Sequence, residues 1–225
     1  MTISLQIGLD AINNYKRLAY KPWYALAEFV DNSTQSYFDN AAALDESYKK
    51  AMEGRLTVRI VYDKDTEILR ISDNASGMSL EELERSLHVA RPPENTSGRS
   101  KYGMGMKTAA CWIGNHWTIT TKKLGESVEH TVTVEVDKIA AGNGVLPYTS
   151  VAGRDPALHY TIIEIRKHNK RFQGRPVGKI RDFLRSMYRE DFRQNRLQLE
   201  WNGDPLQWQE LDDRLLKDRE GATYK

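Results

Sequence analysis

The sequence predicts an α+β fold in which helices lie on one face of a mixed, mostly antiparallel sheet. Two observations carry that reading. Helical periodicity dominates the first half of the 225 residues, and strand-like alternation dominates the second. Helix and strand do not alternate regularly, which argues against repeating parallel units. Hydrophobic residues make up 40% of the chain, enough to build a core.

The elements follow in order. Residues 8–19 form a short helix. Pro22 opens the next one, where its missing N–H costs nothing. Trp23, Leu26, Val30, Ser33 and Tyr37 then share one helical face. Residues 41–53 continue this region as an extension or a second helix, ended by Gly54. Residues 56–63 and 67–73 are strands joined by the turn Asp63-Lys64-Asp65. Ser79, with Glu82 three residues later, forms a capping box for a helix over 80–89. Residues 91–102 are polar and rich in turn formers, so they form a loop. Helical pattern resumes from Gly105 to Ile113. Residues 116–123, 128–136 and 159–167 alternate as strands with one buried face. Residues 141–156 are a long connector. Residues 179–190 are an amphipathic helix, and Asn202-Gly203 signals a hairpin.

Bulk properties narrow the function classes. A net charge of +2 gives no global electrostatic footprint for nucleic acid. The basic stretch 166–185 is a solvated loop and helix face before it is a nucleic-acid patch. The one cysteine, Cys111, excludes an internal disulfide. The first residues lack a signal-peptide pattern, and no apolar run is long enough to span a membrane. These features point to the cytoplasm, or to the nucleus of a eukaryote.

Three motifs carry chemistry. In Glu28-Phe-Val-Asp31-Asn32, the 100° helical step sets Glu28, Asp31, Asn32 and Gln35 on one face. Alone, this stripe is the solvent face of an amphipathic helix. As a pocket floor, its carboxylate could polarise water and its amide oxygen could bind a hard cation. Asp73-Asn-Ala-Ser-Gly77-Met78 follows a strand. Alone it is a turn before a capped helix. At a pocket edge, the carboxylate could accept from an exocyclic amine of adenine. Gly103-Met-Gly105-Met-Lys107 enters a helix, where backbone N–H groups favour anions. It is neither a P-loop nor a dinucleotide fingerprint. His116, His130 and His159 lack metal-ligand spacing. Trp112, Trp117 and Cys111 read as core.

In this order, the three motifs resemble those of the GHKL superfamily: gyrase B, MutL, the heat-shock chaperone Hsp-ninety, histidine kinases and the MORC ATPases. The match is closest in style to the MORC-like and Hsp-ninety-like members. Thr161 sits where that superfamily places a threonine near adenine. The resemblance spans residues 8–200 and implies the Bergerat fold, ATP and magnesium (Mg2+) as ligands, and ATP hydrolysis. By the same resemblance, Glu28 would be the general base. Asn32 would bind magnesium, and Asp73 would take the adenine amine with support from Thr161 through water. Gly77 and Met78 would line the base. Ser100, Lys101, Tyr102, Gly103, Met104, Gly105, Met106 and Lys107 would surround the phosphates, and residues 91–102 would be an ATP lid.

The resemblance also implies ATP-dependent homodimerisation in a full-length context, with any nucleic-acid contact left to other regions. Residues 1–195 would be the ATP-binding domain. Residues 196–225 would start a transducer-like segment, beyond which a phosphate-contacting lysine is expected. Ala75 departs from the glycine common at that point of the second motif. Two rival functions remain: a nucleotide-binding switch with negligible hydrolysis, and a phosphotransferring kinase, against which the presence of Glu28 argues.

Overall fold

The computed structural model describes residues 9–52, 54–88, 105–170, 172 and 175–209. A 3-10 helix, Leu9–Arg17, is followed by α1 (Pro22–Asp39) and α2 (Ala41–Ala51). Then come β1 (Leu56–Asp63), β2 (Ile68–Asp73), α3 (Leu80–Leu87) and α4 (Gly105–Ile113). The second half supplies β3 (Gly114–Lys122), β4 (Val128–Glu135), α5 (Val136–Ala140), β5 (Tyr148–Ala152) and β6 (Tyr160–His168). It closes with α6 (Arg175–Met187), α7 (Arg189–Arg193), β7 (Leu197–Trp201) and β8 (Asp204–Leu206).

The strands form one eight-stranded sheet in the order β5-β4-β3-β6-β2-β1-β7-β8. Every pairing is antiparallel except β1 with β7. This is the expected α+β architecture. Strand alternation explains the layering. Along β1, Val58, Ile60 and Tyr62 are buried while Arg59, Val61 and Asp63 are exposed. The buried side chains meet Leu26, Phe29 and Val30 of α1 and Ala109, Ala110 and Ile113 of α4 in one core. The open face carries cross-strand ion pairs instead, Arg59 with Glu200 and Arg70 with Glu164.

Local signals held where they were strongest. Pro22 occupies the first turn of α1. Ser79 and Glu82 form the reciprocal capping box of α3. Trp112, Trp117 and Cys111 are buried. Two expectations fail. Residues 148–152, assigned to a connector, form β5, and Val136, assigned to a strand, starts α5. Every residue of β5 is exposed, so it has no apolar alternation to betray it. Backbone pairing with β4 makes it a strand. Residues 197–206 extend the same sheet through β7 and β8.

Candidate functional site

A cavity of about 310 Å3 opens between α1, α3, the start of α4 and the strands β2 and β6. The sheet order creates it. β2 lies beside β6, so Asp73 at the end of β2 pairs in register with Thr161. α1 crosses above them and brings Asn32, Ser33 and Gln35 to the same space. Phe29, Ile71 and Ile163 supply apolar wall, a usual composition for a small-molecule site.

Asp73 is anchored through both carboxylate oxygens. Its Oδ2 accepts from the Ser33 hydroxyl at 2.7 Å, and its Oδ1 accepts from the Ala75 N–H at 3.0 Å. Burial pushes the carboxyl above the usual Asp value. The Ser33 hydroxyl, the Ala75 and Thr161 N–H groups and His159 pull the other way without restoring it. Ala75 does not adopt left-handed backbone, so the turn accommodates alanine without strain. His159 ties down the same turn. Its Nδ1 lies 2.9 Å from the Ala75 carbonyl and its Nε2 lies 2.9 Å from Ser47 Oγ.

Gly77 and Met78 line the cavity, and the glycine has a sharper reason than room for a base. Its φ is +69°, and a Cβ there would fall 2.0 Å from the Lys122 carbonyl oxygen. The constraint therefore comes from β3. The Met78 N–H donates to the Thr121 hydroxyl at 2.9 Å, and Thr121 shares a 3.1 Å hydrogen bond with Thr161. Thr161 is thus joined to Asp73 through the backbone and to the Gly77-Met78 turn through Thr121.

The opposite end of the cavity is built by α4. Gly105, Met106 and Lys107 line it. Lys107 Nζ donates to the Ser86 carbonyl at 2.5 Å, near the C-terminus of α3. Burial pulls the ammonium pKa down from the usual Lys value to about 8. At the first residue of α4, a Cβ on Gly105 would sit 1.8 Å from Glu28 Oε2. Only glycine lets that carboxylate stand against the helix start, where the dipole favours negative charge. The other oxygen, Oε1, accepts from the Tyr20 hydroxyl at 2.7 Å.

The polar face of α1 divides. Asn32 and Gln35 line the cavity, and Glu28 closes on Gly105. Asp31 does not join them. Its Oδ1 accepts from the Tyr188 hydroxyl at 2.9 Å, which fastens α1 to the turn between α6 and α7. Ser100, Lys101, Tyr102, Gly103, Met104 and the 91–102 loop lie outside the described residues. Sequence reasoning missed Ser33, Thr121, Tyr20 and the cavity residues Glu82, Arg85 and Ser86. Ser33 left one trace, as the small polar residue on an otherwise apolar helix face.

A family model described as "Histidine kinase-, DNA gyrase B-, and HSP90-like ATPase" matches residues 20–158, more than half of the chain. The chain belongs to this family. The matched span holds Glu28, Asn32, Asp73 to Met78 and Gly105 to Lys107, and Thr161 lies just past it. Membership makes this a GHKL-type ATP-binding domain on the Bergerat fold. No curated protein matches the chain. Among the described residues, no helix is long and apolar enough to cross a membrane.

Proposed function

We propose that this domain binds Mg-ATP in the cavity between α1 and α4 and hydrolyses it. The observation that carries the reading is the pairing of two opposite chemistries in one cavity. A half-buried, hydrogen-bonded carboxylate, Asp73, stands at the sheet end, and a cation, Lys107, stands at the start of α4. An adenine amine is a donor suited to the first, and phosphates are anions suited to the second and to the helix N-terminus. Met78, Ile71 and Ile163 offer apolar surface to a base between them.

Asn32 has the donor chemistry for magnesium, a hard cation that takes oxygen ligands and keeps several waters. When bound, the metal would neutralise charge on the phosphates. Glu28 accepts the proton of the attacking water. It is suited to this because the Tyr20 hydroxyl and Gly105 hold its two oxygens in place. Lys107 stabilises charge on the phosphates. Ordering of residues 91–102 by nucleotide, ATP-dependent dimerisation and a further phosphate-contacting lysine from a following transducer-like unit belong to the same reading.

Asp73→Asn and Glu28→Gln test it together. In calorimetric titration Asp73→Asn should weaken ATP binding at least about tenfold, consistent with ~1–3 kcal/mol for a buried polar contact. Glu28→Gln should bind Mg-ATP like the parent and release almost no phosphate. Unchanged affinity in a folded Asp73→Asn protein would remove the adenine assignment. The second reading, a nucleotide switch without hydrolysis, would be favoured if the parent bound ATP tightly and released no phosphate at saturation.

A further inference from the structure

We propose that Tyr20 is a positioning residue for the hydrolytic carboxylate, orienting Glu28 so that only one of its oxygens is free to take a proton. The proposal rests on the hydrolytic role given above to Glu28 and adds to it a residue outside the three motifs.

The geometry is specific. A glutamate side chain has three rotatable bonds, and a base that wanders loses rate steeply with misplacement. Here both oxygens have distinct neighbours. Tyr20 donates to Oε1 at 2.7 Å, while Oε2 packs against the Gly105 backbone at the start of α4. Tyr20 itself is fixed. Its ring meets Trp112 edge-on, with centroids 5.9 Å apart and planes at 60°. The Trp112 indole N–H donates to the Leu18 carbonyl at 3.0 Å, which ties the segment before α1 to α4. α4 therefore positions both neighbours of the carboxylate: Gly105 directly, and Tyr20 through Trp112.

The phenol also keeps its own proton. Burial, the Glu28 hydrogen bond and the Glu28 charge all push its pKa well above the usual tyrosine value. Tyr20 thus stays a donor at any working pH. It does not compete with Glu28 for the proton of water, and its hydrogen bond occupies the oxygen farther from Gly105.

Tyr20→Phe is the test, because it keeps the ring and its Trp112 contact and removes one hydroxyl. Three readouts are needed: steady-state phosphate release at saturating Mg-ATP, ATP affinity by calorimetry, and thermal melting. The expected result is a kcat lower by about tenfold, the size of one hydrogen bond to a charged group, with affinity unchanged within about twofold. A role confined to packing would move melting and affinity together and leave kcat alone. Parental kcat in Tyr20→Phe would overturn the proposal, as would an affinity loss that accounts for the whole rate effect. Glu28→Gln, measured beside it, separates the two levels. If Glu28→Gln is inactive and Tyr20→Phe is fully active, the positioning role falls alone. If Glu28→Gln turns over like the parent, both fall.

Discussion

Gly105→Ala should strip this domain of turnover while leaving it folded and able to bind ATP. Gly105 does not adopt left-handed backbone, so alanine there is limited by space alone. An added Cβ would stand 1.8 Å from Glu28 Oε2, where side chains do not approach closer than 3.0 Å. The carboxylate, the far end of a flexible side chain, must retreat by about 1.2 Å or more. That movement takes Oε1 out of the 2.7 Å bond with Tyr20. A misplacement of about 1 Å can cost on the order of a hundredfold in rate, or ~2.7 kcal/mol of barrier. Stability should change little. Alanine in place of glycine in a helix gains ~0.5–1 kcal/mol, which partly offsets the lost hydrogen bond. A net change of ~1 kcal/mol moves Tm by only about 2–4 °C in a chain of this size. The assay is phosphate release at saturating Mg-ATP, with melting and calorimetric affinity on the same preparation. A parental rate would refute the reasoning, because it would mean that the position of the Glu28 carboxylate does not matter. Joint collapse of affinity and melting would show that α4, not the glutamate, had moved.

Three further outcomes are expected. Gly77→Ala places a Cβ 2.0 Å from the Lys122 carbonyl oxygen at a φ of +69°, so it should cost ~2 kcal/mol or more and lower the melting temperature by several degrees. Asp73→Asn should match or exceed the parent in stability at neutral pH. The folded-state pKa of Asp73 is raised above its unfolded value, so the group costs stability at high pH, and that cost fades as pH falls through the folded pKa. The advantage of Asn in melting scans should therefore shrink in acid, and an advantage that grew instead would reverse the sign of this argument. Lys107, pulled down to about 8, should lose its charge above that pH in the empty protein. ATP affinity should then decline through that range in the parent and stay lower and flat in Lys107→Met, as titrations at several pH values would show.

What was legible in the sequence was local. The Ser79–Glu82 capping box, Pro22 at the start of α1 and the glycine motifs depend on residues a few positions apart, so spacing alone exposes them. Asn32 and Gln35 were legible because a helix fixes their common face. What stayed hidden depends on the order of strands. Ser33 shares the buried face of α1 with Leu26 and Val30, and nothing near it announces Asp73, forty residues away, as its acceptor. Thr121 is one of several threonines in β3. Only the β2-β6-β3 order brings its hydroxyl to Met78 and Thr161. Asp31 fits the polar face by periodicity, yet Tyr188 on a distant element takes it. Helical periodicity names a face, and the tertiary partner decides which of its members reach the site.

The two ends of the cavity share a physical logic. Desolvation raises the pKa of half-buried Asp73 and lowers that of buried Lys107, so the surroundings disfavour the charged form of each. A ligand with a donor at one end and an anion at the other removes both costs at once. On the proposed reading, Mg-ATP is such a ligand, and its binding should raise the thermal stability of the domain. At about a hundred times Kd the gain is ~2.7 kcal/mol for any ligand. What distinguishes this site is the pattern of its loss: Asp73→Asn and Lys107→Met should each weaken binding while relieving the empty fold. Two residues that each stabilise the empty protein when replaced, and each weaken ATP binding, would mark a cavity shaped by its ligand rather than by packing.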